Sequence, residues 1–412
     1  MRERTACGTC KARSLSPFLD LGMQPPANAL LGPRELEREE SRFPLVLGHC
    51  GSCGLIQLLH SVSPELLFRN YVYFSSVSGS MSKHFAAYAQ EVADRFVPPG
   101  GLVVELGSND GVLLRNLLGR PLRVLGVDPA ENVAEVARER GVPTIASFFG
   151  ERLADEIRAQ HGAASVILAN NVFAHVENLE DVMRGVDRLL DERGVFVLEV
   201  PYVVDFLGHL EFDTVYHEHL YYFGVRPLMT LFGRLGFEVF EVQRKSVHGG
   251  TIRVHVRRAG QGAPKGRPID GSVAELAALE EEEGASDPAR LLRFAGDVAA
   301  LREKLCSLIG ELHRDKRRVV GYGAAAKGNV LLNYCGLGPD RIEYLVDATP
   351  AKQGLFSPGM RIPIKGPDLG GDRPDYVLLL AWNHSAEIME KEQAYRQAGG
   401  RFIVPIPRVE VV

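Results

Sequence analysis

Four residues in a row, Tyr216, His217, Glu218 and His219, combine the side chains that proton-transfer chemistry uses. Histidine titrates near neutrality and can act as a general base, and a neighbouring glutamate can orient an imidazole. A tyrosine hydroxyl can stabilise an oxyanion. The cluster follows the predicted strand 194–200, so we expect it to open onto a cleft. A catalytic metal is not favoured, because H-E-x-x-H is absent. The alternative is that these polar residues only form hydrogen bonds within a crossover connection and have no catalytic role.

A second set of residues predicts a nucleotide-type cofactor site. Residues 102–111 read Leu-Val-Val-Glu-Leu-Gly-Ser-Asn-Asp-Gly, an apolar strand running into a glycine-spaced turn, and Asp128 ends the next apolar run. The third glycine of a dinucleotide motif is missing, and the acidic turn suits a cationic sulfonium better than a pyrophosphate. We therefore expect S-adenosylmethionine; a dinucleotide or a ligand-free turn are the alternatives. The predicted cofactor contacts are Glu105, Gly107, Asn109, Gly111, Asp128, Phe148 and Asn170.

Two further positions are expected near the reacting groups. His175 lies just past the predicted strand 164–169, at the position that faces the cofactor's methyl side in such a sheet. A core or capping histidine is its alternative interpretation. Tyr71, two residues before Tyr73, could form a lid over the pocket or pack an inter-domain joint.

Four of the six cysteines form two Cys-x-x-Cys pairs, Cys7 with Cys10 and Cys50 with Cys53. Each spacing lets one turn present two thiolates to a tetrahedral ion, so the two pairs predict a closed structural zinc site. Disulfides are not expected in a reducing compartment, and redox thiols would not come as two matched pairs. Cys306 and Cys335 are read as core residues.

The organisation that must position these groups is α/β, with three parts. We predict a zinc-binding domain over residues 1–70, a cofactor-binding domain over 71–260, and a helical linker with a C-terminal Rossmann-like domain over 261–412. The middle part reads as seven strands that end in a hairpin, the class I methyltransferase sheet. Its strands are predicted at 102–106, 122–127, 143–146, 164–169, 194–200, 237–243 and 251–257.

Residues 272–316 predict one or two long helices, with Glu280–Glu283 as a solvated face. The C-terminal part repeats the strand, glycine loop and acid of a nucleotide half-fold, from Gly321 to Asp347. It is expected either to help bind a second ligand or to serve as a scaffold.

The composition narrows the functional class. The 47 basic and 52 acidic residues give a net charge of −5, and no basic stripe alternates with aromatics, so a nucleic-acid partner is not expected. No apolar run reaches 18 residues and no signal-peptide core follows Met1. We expect a cytoplasmic monomer that does not span a membrane.

Taken together, these motifs resemble one family. They are the paired Cys-x-x-Cys motifs, Val-Glu-Leu-Gly-Ser-Asn-Asp-Gly, Asn-Asn-Val-Phe-Ala-His, Tyr-His-Glu-His, His-Gly-Gly-Thr, Gly-Tyr-Gly-Ala-Ala-Ala-Lys and Ala-Trp-Asn-His. The chain is similar, from Cys7 to about Val409, to the sugar 3-C-methyltransferases of branched deoxysugar biosynthesis, of the type that makes tetronitrose.

The resemblance implies methylation at C3 of a nucleotide-linked 4-keto-6-deoxysugar, through an enolate. It implies that His219 removes the C3 proton, that Tyr216 and Glu218 position the sugar, and that His175 and Tyr71 line the methyl-transfer region. His217 is expected to be supporting. Candidates for diphosphate or sugar contacts are His248, Lys327, Asn383 and His384.

Three other functions stay open at this point. One is methylation of oxygen or nitrogen on a nucleotide sugar or another small molecule. Such an enzyme would show the same base and cofactor residues in its sequence. Another is a non-catalytic nucleotide-sensing scaffold with zinc and two Rossmann-like folds. The last is an oxidoreductase that uses the C-terminal half-fold, which lacks G-x-G-x-x-G.

Overall fold

A computed structural model of the chain describes residues 1–68, 79–260 and 268–412. Its N-terminal part is built on an antiparallel sheet in which β3 lies between β2 and β4, and β1 pairs with β5. Both cysteine pairs lie at turns beside this sheet. The elements are β1 (Arg2–Glu3), β2 (Leu15–Gln24), β3 (Phe43–Cys50), β4 (Ile56–Leu58), β5 (His60–Ser61) and α1 (Pro64–Phe68).

The middle of the chain forms the predicted seven-stranded sheet, in the order β12-β13-β10-β9-β6-β7-β8. Within it only β13 runs antiparallel to its neighbours. The elements are α2 (Gly79–Phe96), β6 (Leu102–Leu106), β7 (Arg123–Asp128), α3 (Glu131–Glu139), β8 (Thr144–Ala146), α4 (Glu151–His161), β9 (Ala164–Asn170), α5 (Leu179–Leu189), β10 (Leu190–Pro201), α6 (Val203–Gly208), β11 (Tyr221–Tyr222), α7 (Val225–Arg234), β12 (Phe237–Lys245) and β13 (Thr251–Arg258).

The central strands are apolar along their whole length because helices cover both faces of the sheet. All five residues of β6 are buried, as are six of the seven residues of β9. This unbroken burial is typical of parallel strands, whose carboxyl ends meet at one edge. The predicted fold class is confirmed, and ligand-binding residues are expected at that edge.

One short strand joins the first two parts of the chain. Strand β11 belongs by sequence to the middle part, yet it pairs with β4 and completes a sheet of order β11-β4-β3-β2. It follows the Tyr216–His219 cluster directly. That cluster is therefore fixed against the N-terminal part.

Two helices, α8 (Gly271–Glu282) and α9 (Pro288–Arg314), connect the middle part to the C-terminal part. The prediction of a solvated face at Glu280–Glu283 is wrong for Glu280, which is only 3% exposed. Its carboxylate accepts hydrogen bonds from the backbone N–H groups of Val225 and Arg226, at the start of α7. A helix N-terminus has unpaired N–H groups, which explains the burial of this charge.

The C-terminal part is a second α/β sheet of order β16-β15-β14-β17-β18-β19, parallel except for β19. It touches the N-terminal part through a bridge between Leu31 and Phe356. None of the described helices is long and apolar enough to cross a membrane. The elements are β14 (Val319–Tyr322), α10 (Ala326–Cys335), β15 (Leu345–Val346), β16 (Ile364–Lys365), α11 (Leu369–Asp372), β17 (Tyr376–Leu379), α12 (Ser385–Lys391), α13 (Gln393–Gln397), β18 (Arg401–Val404) and β19 (Glu410–Val411).

Candidate active site

A cleft of about 1070 Å³ lies where the three parts of the chain meet. The carboxyl ends of the central strands form one wall, and the loops that follow β14 and β17 form another. Asn28, from the loop after β2, adds a contribution from the N-terminal part. Predicted site residues on the described walls are Gly107, Asn109, Asp128, Phe148, Asn170, His175, Tyr216, His219, Lys327, Asn383 and His384.

The turn after β6 is held tightly against the end of β7. Gly107 has φ +62°, and a Cβ there would lie 1.9 Å from Cγ2 of Val172, so only glycine fits. Asp128 accepts hydrogen bonds from the backbone N–H groups of Asn109 (2.9 Å) and Ala130 (3.0 Å). The carboxylate fixes the turn and faces the cleft. Its remaining lone pairs suit the hydroxyls of a ribose.

Glu105 and Gly111 do not lie on the described cleft wall. Glu105 is 3% exposed, and burial raises the pKa of its carboxyl to about 8. Its Oε1 accepts a hydrogen bond (2.9 Å) from the Asn170 amide, which does face the cleft. Gly111 packs instead against Val142. The neighbouring Asp110, expected to favour a cation, forms an ion pair with Arg140 (2.7 Å). Of the two acids in this turn, Glu105 is therefore linked to the cleft wall through Asn170, and Asp110 is paired with Arg140.

A backbone carbonyl orients the side chain of His219. Its Nδ1 lies 2.8 Å from the carbonyl oxygen of Thr214. A carbonyl oxygen only accepts, so Nδ1 carries the hydrogen, and in the neutral ring Nε2 carries the lone pair. The ring of Tyr216 lies 4.0 Å from the His219 ring, centroid to centroid, and the ring of His175 lies 4.8 Å away, edge-on. These three rings form one cluster on the cleft wall.

His175 is half-buried on the cleft wall, and desolvation lowers its pKa to about 4. It is therefore neutral at physiological pH and cannot repel a sulfonium. Its place beside His219 is set by the helical turn Phe173–His175 after β9.

Glu218 and His217 point away from the cleft. Burial raises the pKa of Glu218 to about 7, and its Oε1 accepts a hydrogen bond (2.7 Å) from Asn28. His217 packs against Phe43 and lies 3.3 Å from that residue's carbonyl oxygen. The Glu218 carboxylate is therefore linked to the cleft wall through Asn28. We did not predict Asn28; the Pro-Pro-Ala-Asn turn was visible in the sequence, but its partner was not.

Charged residues on both sides of the boundary between the middle and C-terminal parts meet at the cleft. The Nζ of Lys327 lies 3.7 Å from Oε2 of Glu211 and 5.1 Å from the centre of the Trp382 ring. The Trp382 indole donates a hydrogen bond (2.6 Å) to Asp213, which is fully buried. Burial raises the pKa of both Glu211 and Asp213. Neither acid was among the predicted site residues.

The remaining predicted contacts are less closely placed. His384 is exposed at the cleft rim, 3.9 Å from Glu387, and Asn383 lies beside it. The backbone of His248 lies in the helical turn Val247–Gly249 between β12 and β13. Tyr71 falls outside the described residues.

The four paired cysteines converge beside the N-terminal sheet. The Sγ atoms of Cys7 and Cys53 are 3.6 Å apart, as are those of Cys10 and Cys50, and all four lie within 4.8 Å of one another. A tetrahedral zinc with Zn–S bonds of about 2.3 Å has sulfur–sulfur edges of about 3.8 Å. The residues fit a closed structural zinc site, which leaves no position for a reacting water.

The seven-stranded sheet, the glycine turn after β6 and the acid after β7 define a methyltransferase of the S-adenosylmethionine-dependent class. Family models match three successive regions: "Putative zinc binding domain" over residues 7–68, "Methyltransferase domain" over 81–242 and "C-methyltransferase C-terminal domain" over 246–407. C-methyltransferase NovU from Streptomyces niveus is 38% identical over 100% of this chain and 98% of its own length. The chain belongs to the C-methyltransferase family that includes NovU, with S-adenosylmethionine and structural zinc as its cofactors.

Other similarities are partial. Uncharacterized methyltransferase C70.08c from Schizosaccharomyces pombe is 32% identical over 24% of this chain and 38% of its own length. Magnesium protoporphyrin IX methyltransferase from Synechocystis PCC 6803, solved with bound SAM, is 16% identical over 44% of this chain and 79% of its own, with a TM-score of 0.32. The CcbJ methyltransferase from Streptomyces caelestis is 17% identical over 43% and 90%, with a TM-score of 0.34.

Proposed function

We propose that the protein transfers a methyl group to C3 of a nucleotide-linked 4-keto-6-deoxysugar, in the cytoplasm, with His219 as the base. One observation carries this proposal. The Thr214 carbonyl holds His219 as the Nδ1–H tautomer, and His219 and Asp128 line the same cleft. A base and a cofactor site in one cleft are what carbon methylation next to a ketone requires.

The first step assigned to the chain is proton removal. A ketone acidifies the hydrogens on its neighbouring carbons, so an imidazole can remove one. Nε2 of His219 takes the C3 proton, and the bond electrons move to the ketone oxygen as an enolate. The Thr214 carbonyl accepts from the same Nδ1–H in the imidazolium, so the ring keeps its orientation after it has taken the proton. Bound S-adenosylmethionine supplies an electrophilic methyl group to the enolate carbon.

The residues around His219 hold the acceptor and limit competing chemistry. Tyr216, stacked beside the base, is assigned the hydroxyl that faces the sugar oxygens. Glu218 acts through Asn28, which presents its amide to the cleft. Neutral His175 occupies the methyl-transfer side. Tyr71 is also proposed to line the methyl-transfer side.

The nucleotide is assigned to the C-terminal wall. His248, Asn383 and His384 are proposed to contact the diphosphate, and Lys327 the sugar. We assign Lys327 to a sugar contact because the carboxylate of Glu211, 3.7 Å from its ammonium, would repel a diphosphate. In this plan the three proposed domains, 1–70, 71–260 and 261–412, each contribute to one acceptor site.

The proposal is tested with a panel of dTDP- and GDP-4-keto-6-deoxysugars in D₂O, with and without S-adenosylmethionine. We expect deuterium to enter at C3, one of the two carbons that flank the ketone, and a new methyl group at C3 by NMR. His219→Gln should abolish both exchange and transfer while cofactor affinity stays unchanged. A matched control, His217→Gln, alters a histidine that faces Phe43 and should retain turnover.

Each other outcome has a distinct meaning. Deuterium exchange and methylation at C5 would be compatible with His219 as the base but would refute C3 as the methylated carbon. A methyl group on oxygen or nitrogen, without carbon exchange, would refute the enolate route. Full activity of His219→Gln would refute the base assignment. Tight cofactor binding with no reaction across the panel would place the acceptor outside nucleotide-linked ketosugars.

A further inference from the structure

Glu211 is a buried carboxylate in the cleft with an unsatisfied oxygen. The residue is 5% exposed and lines the cleft. Its Oε1 makes no hydrogen bond within the described part of the chain. Nδ1 of His209 lies 3.5 Å from this oxygen, but that nitrogen also lies 3.1 Å from the carbonyl oxygen of Gly249. Because the carbonyl only accepts, the Nδ1 hydrogen is directed to Gly249. A buried carboxylate oxygen of this kind calls for a donor from a ligand.

The backbone of Gly249 packs closely against the Glu211 carboxylate and fixes its position at the cleft. It has φ +91°, and a Cβ at this position would lie 2.2 Å from Oε1 of Glu211. Any side chain at residue 249 would therefore press on the carboxylate.

The charge beside Glu211 indicates which chemical group would bind. Lys327 places its ammonium 3.7 Å from Oε2, and within the described residues that ammonium makes no hydrogen bond. The pair thus offers one acceptor and one donor with little net charge. A hydroxyl both donates and accepts, so it matches the pair. A phosphate would be repelled by the carboxylate of Glu211, and an ammonium would be repelled by Lys327.

The same turn carries Glu211 and orients the base. The Glu211 carbonyl accepts hydrogen bonds from the backbone N–H (3.0 Å) and the Oγ1 (2.7 Å) of Thr214. The Thr214 carbonyl in turn accepts from His219. A 3₁₀ turn advances about 2 Å per residue, so Glu211 and Thr214 are about 6 Å apart along it. Glu211 and His219 are thus connected through Thr214 and line the same cleft.

We propose that Glu211, paired with Lys327, is a specificity-determining residue that accepts a hydrogen bond from a ring hydroxyl of the acceptor sugar. The proposal rests on the proposed function above. It assigns the C-terminal part, through Lys327, a role in recognising the sugar. It also predicts that deoxygenated acceptors are discriminated against at this site.

The test compares kcat/KM for a nucleotide-linked 4-keto-6-deoxysugar with its 2-deoxy and 3-deoxy analogues. The wild-type enzyme should prefer the hydroxylated acceptor by roughly 10- to 100-fold over one of the two analogues. In Glu211→Ala the preference should fall to within about threefold, and Glu211→Gln should lie between. Glu280→Gln, which neutralises a buried glutamate that is not on the cleft wall, should keep the wild-type ratio.

The outcomes separate this inference from the proposed function. If the wild type methylates the acceptors and Glu211→Ala retains the full preference, the hydroxyl assignment is overturned while the reaction stands. An equal loss on every acceptor would likewise overturn it, since it shows a structural role. No methylation of any acceptor by the wild type would refute the reaction and the subsite together. If Glu211→Ala does not fold, the ratio in Glu211→Gln decides.

Discussion

Glu105→Gln should stabilise the ligand-free protein, and increasingly so as the pH rises. In the folded chain Glu105 is buried beneath the cofactor turn, and its pKa is raised to about 8 from an ordinary value of 4.5. Between these values the unfolded chain has released the proton and the folded chain still holds it. Stability therefore decreases with rising pH across that window and levels off above pH 8. Glutamine matches the protonated side chain and does not titrate.

The size of the effect follows from the width of the pH window. One pKa unit corresponds to about 1.4 kcal/mol, so the stability contributed by Glu105 should decrease by about 2–3 kcal/mol between pH 6 and pH 8. This is an upper limit, because water can enter the ligand-free cleft. For a domain of this size it amounts to roughly 5–10 °C in Tm.

Thermal unfolding of wild type and Glu105→Gln, measured from pH 6 to pH 8.5, tests the reasoning. Glu105→Gln should already be more stable than the wild type at pH 6, by about 2 kcal/mol, and the two curves should separate further towards pH 8. Glu139→Gln, at an exposed position on α3, is the matched control and should follow the wild type. A constant difference between wild type and Glu105→Gln at every pH, or a variant that is less stable at pH 8, would refute the buried, protonated state of Glu105.

Three shorter predictions concern the other parts of the chain. Asp128→Ala removes the acceptor of two turn N–H groups and should raise the Kd for S-adenosylmethionine roughly 10- to 100-fold by calorimetry; an unchanged Kd would place the ribose elsewhere. Cys50→Ser should lower the zinc content measured by mass spectrometry and the solubility, whereas a fully stable, metal-free wild type would contradict the zinc site. Trp382→Phe leaves buried Asp213 without its donor and should cost about 1–3 kcal/mol in the free energy of unfolding, measured with urea; no loss would show that water replaces the indole.

Local patterns were enough to predict the strand, glycine turn and acid of the proposed cofactor wall. The apolar run 102–106, the glycine at 107 and the acid at 128 lie in one strand–turn–helix unit and its neighbour, so their spacing determines their geometry. The clustering of the four cysteines could also be predicted, because each Cys-x-x-Cys pair lies in one turn. Even here the sequence could not tell that Glu105 is neutral and covered by Asn170. That depends on what packs against the end of β6.

The acceptor side of the cleft could not be predicted in the same way. Glu218 meets Asn28 across 190 residues of sequence, and Asp213 meets Trp382 across 169. Neither partner belongs to a local motif with the residue that it contacts. Glu280 shows the same limit, since its run of four glutamates is typical of a solvated surface, yet its own carboxylate accepts from the start of α7. Long-range partners of single polar side chains leave no periodic signal.

The turn Phe212–Thr214 explains why this reaction would need all three parts of the chain. Its Asp213 is tied to Trp382 of the C-terminal part, its Thr214 carbonyl orients His219, and the next strand, β11, pairs with the N-terminal sheet. Displacing either outer part would therefore shift the base relative to Asp128. The sheet carries Asp128, whereas the segment that carries His219 is held by contacts with both outer parts. We infer that the outer parts serve both to hold the acceptor and to keep the base aligned with the methyl donor.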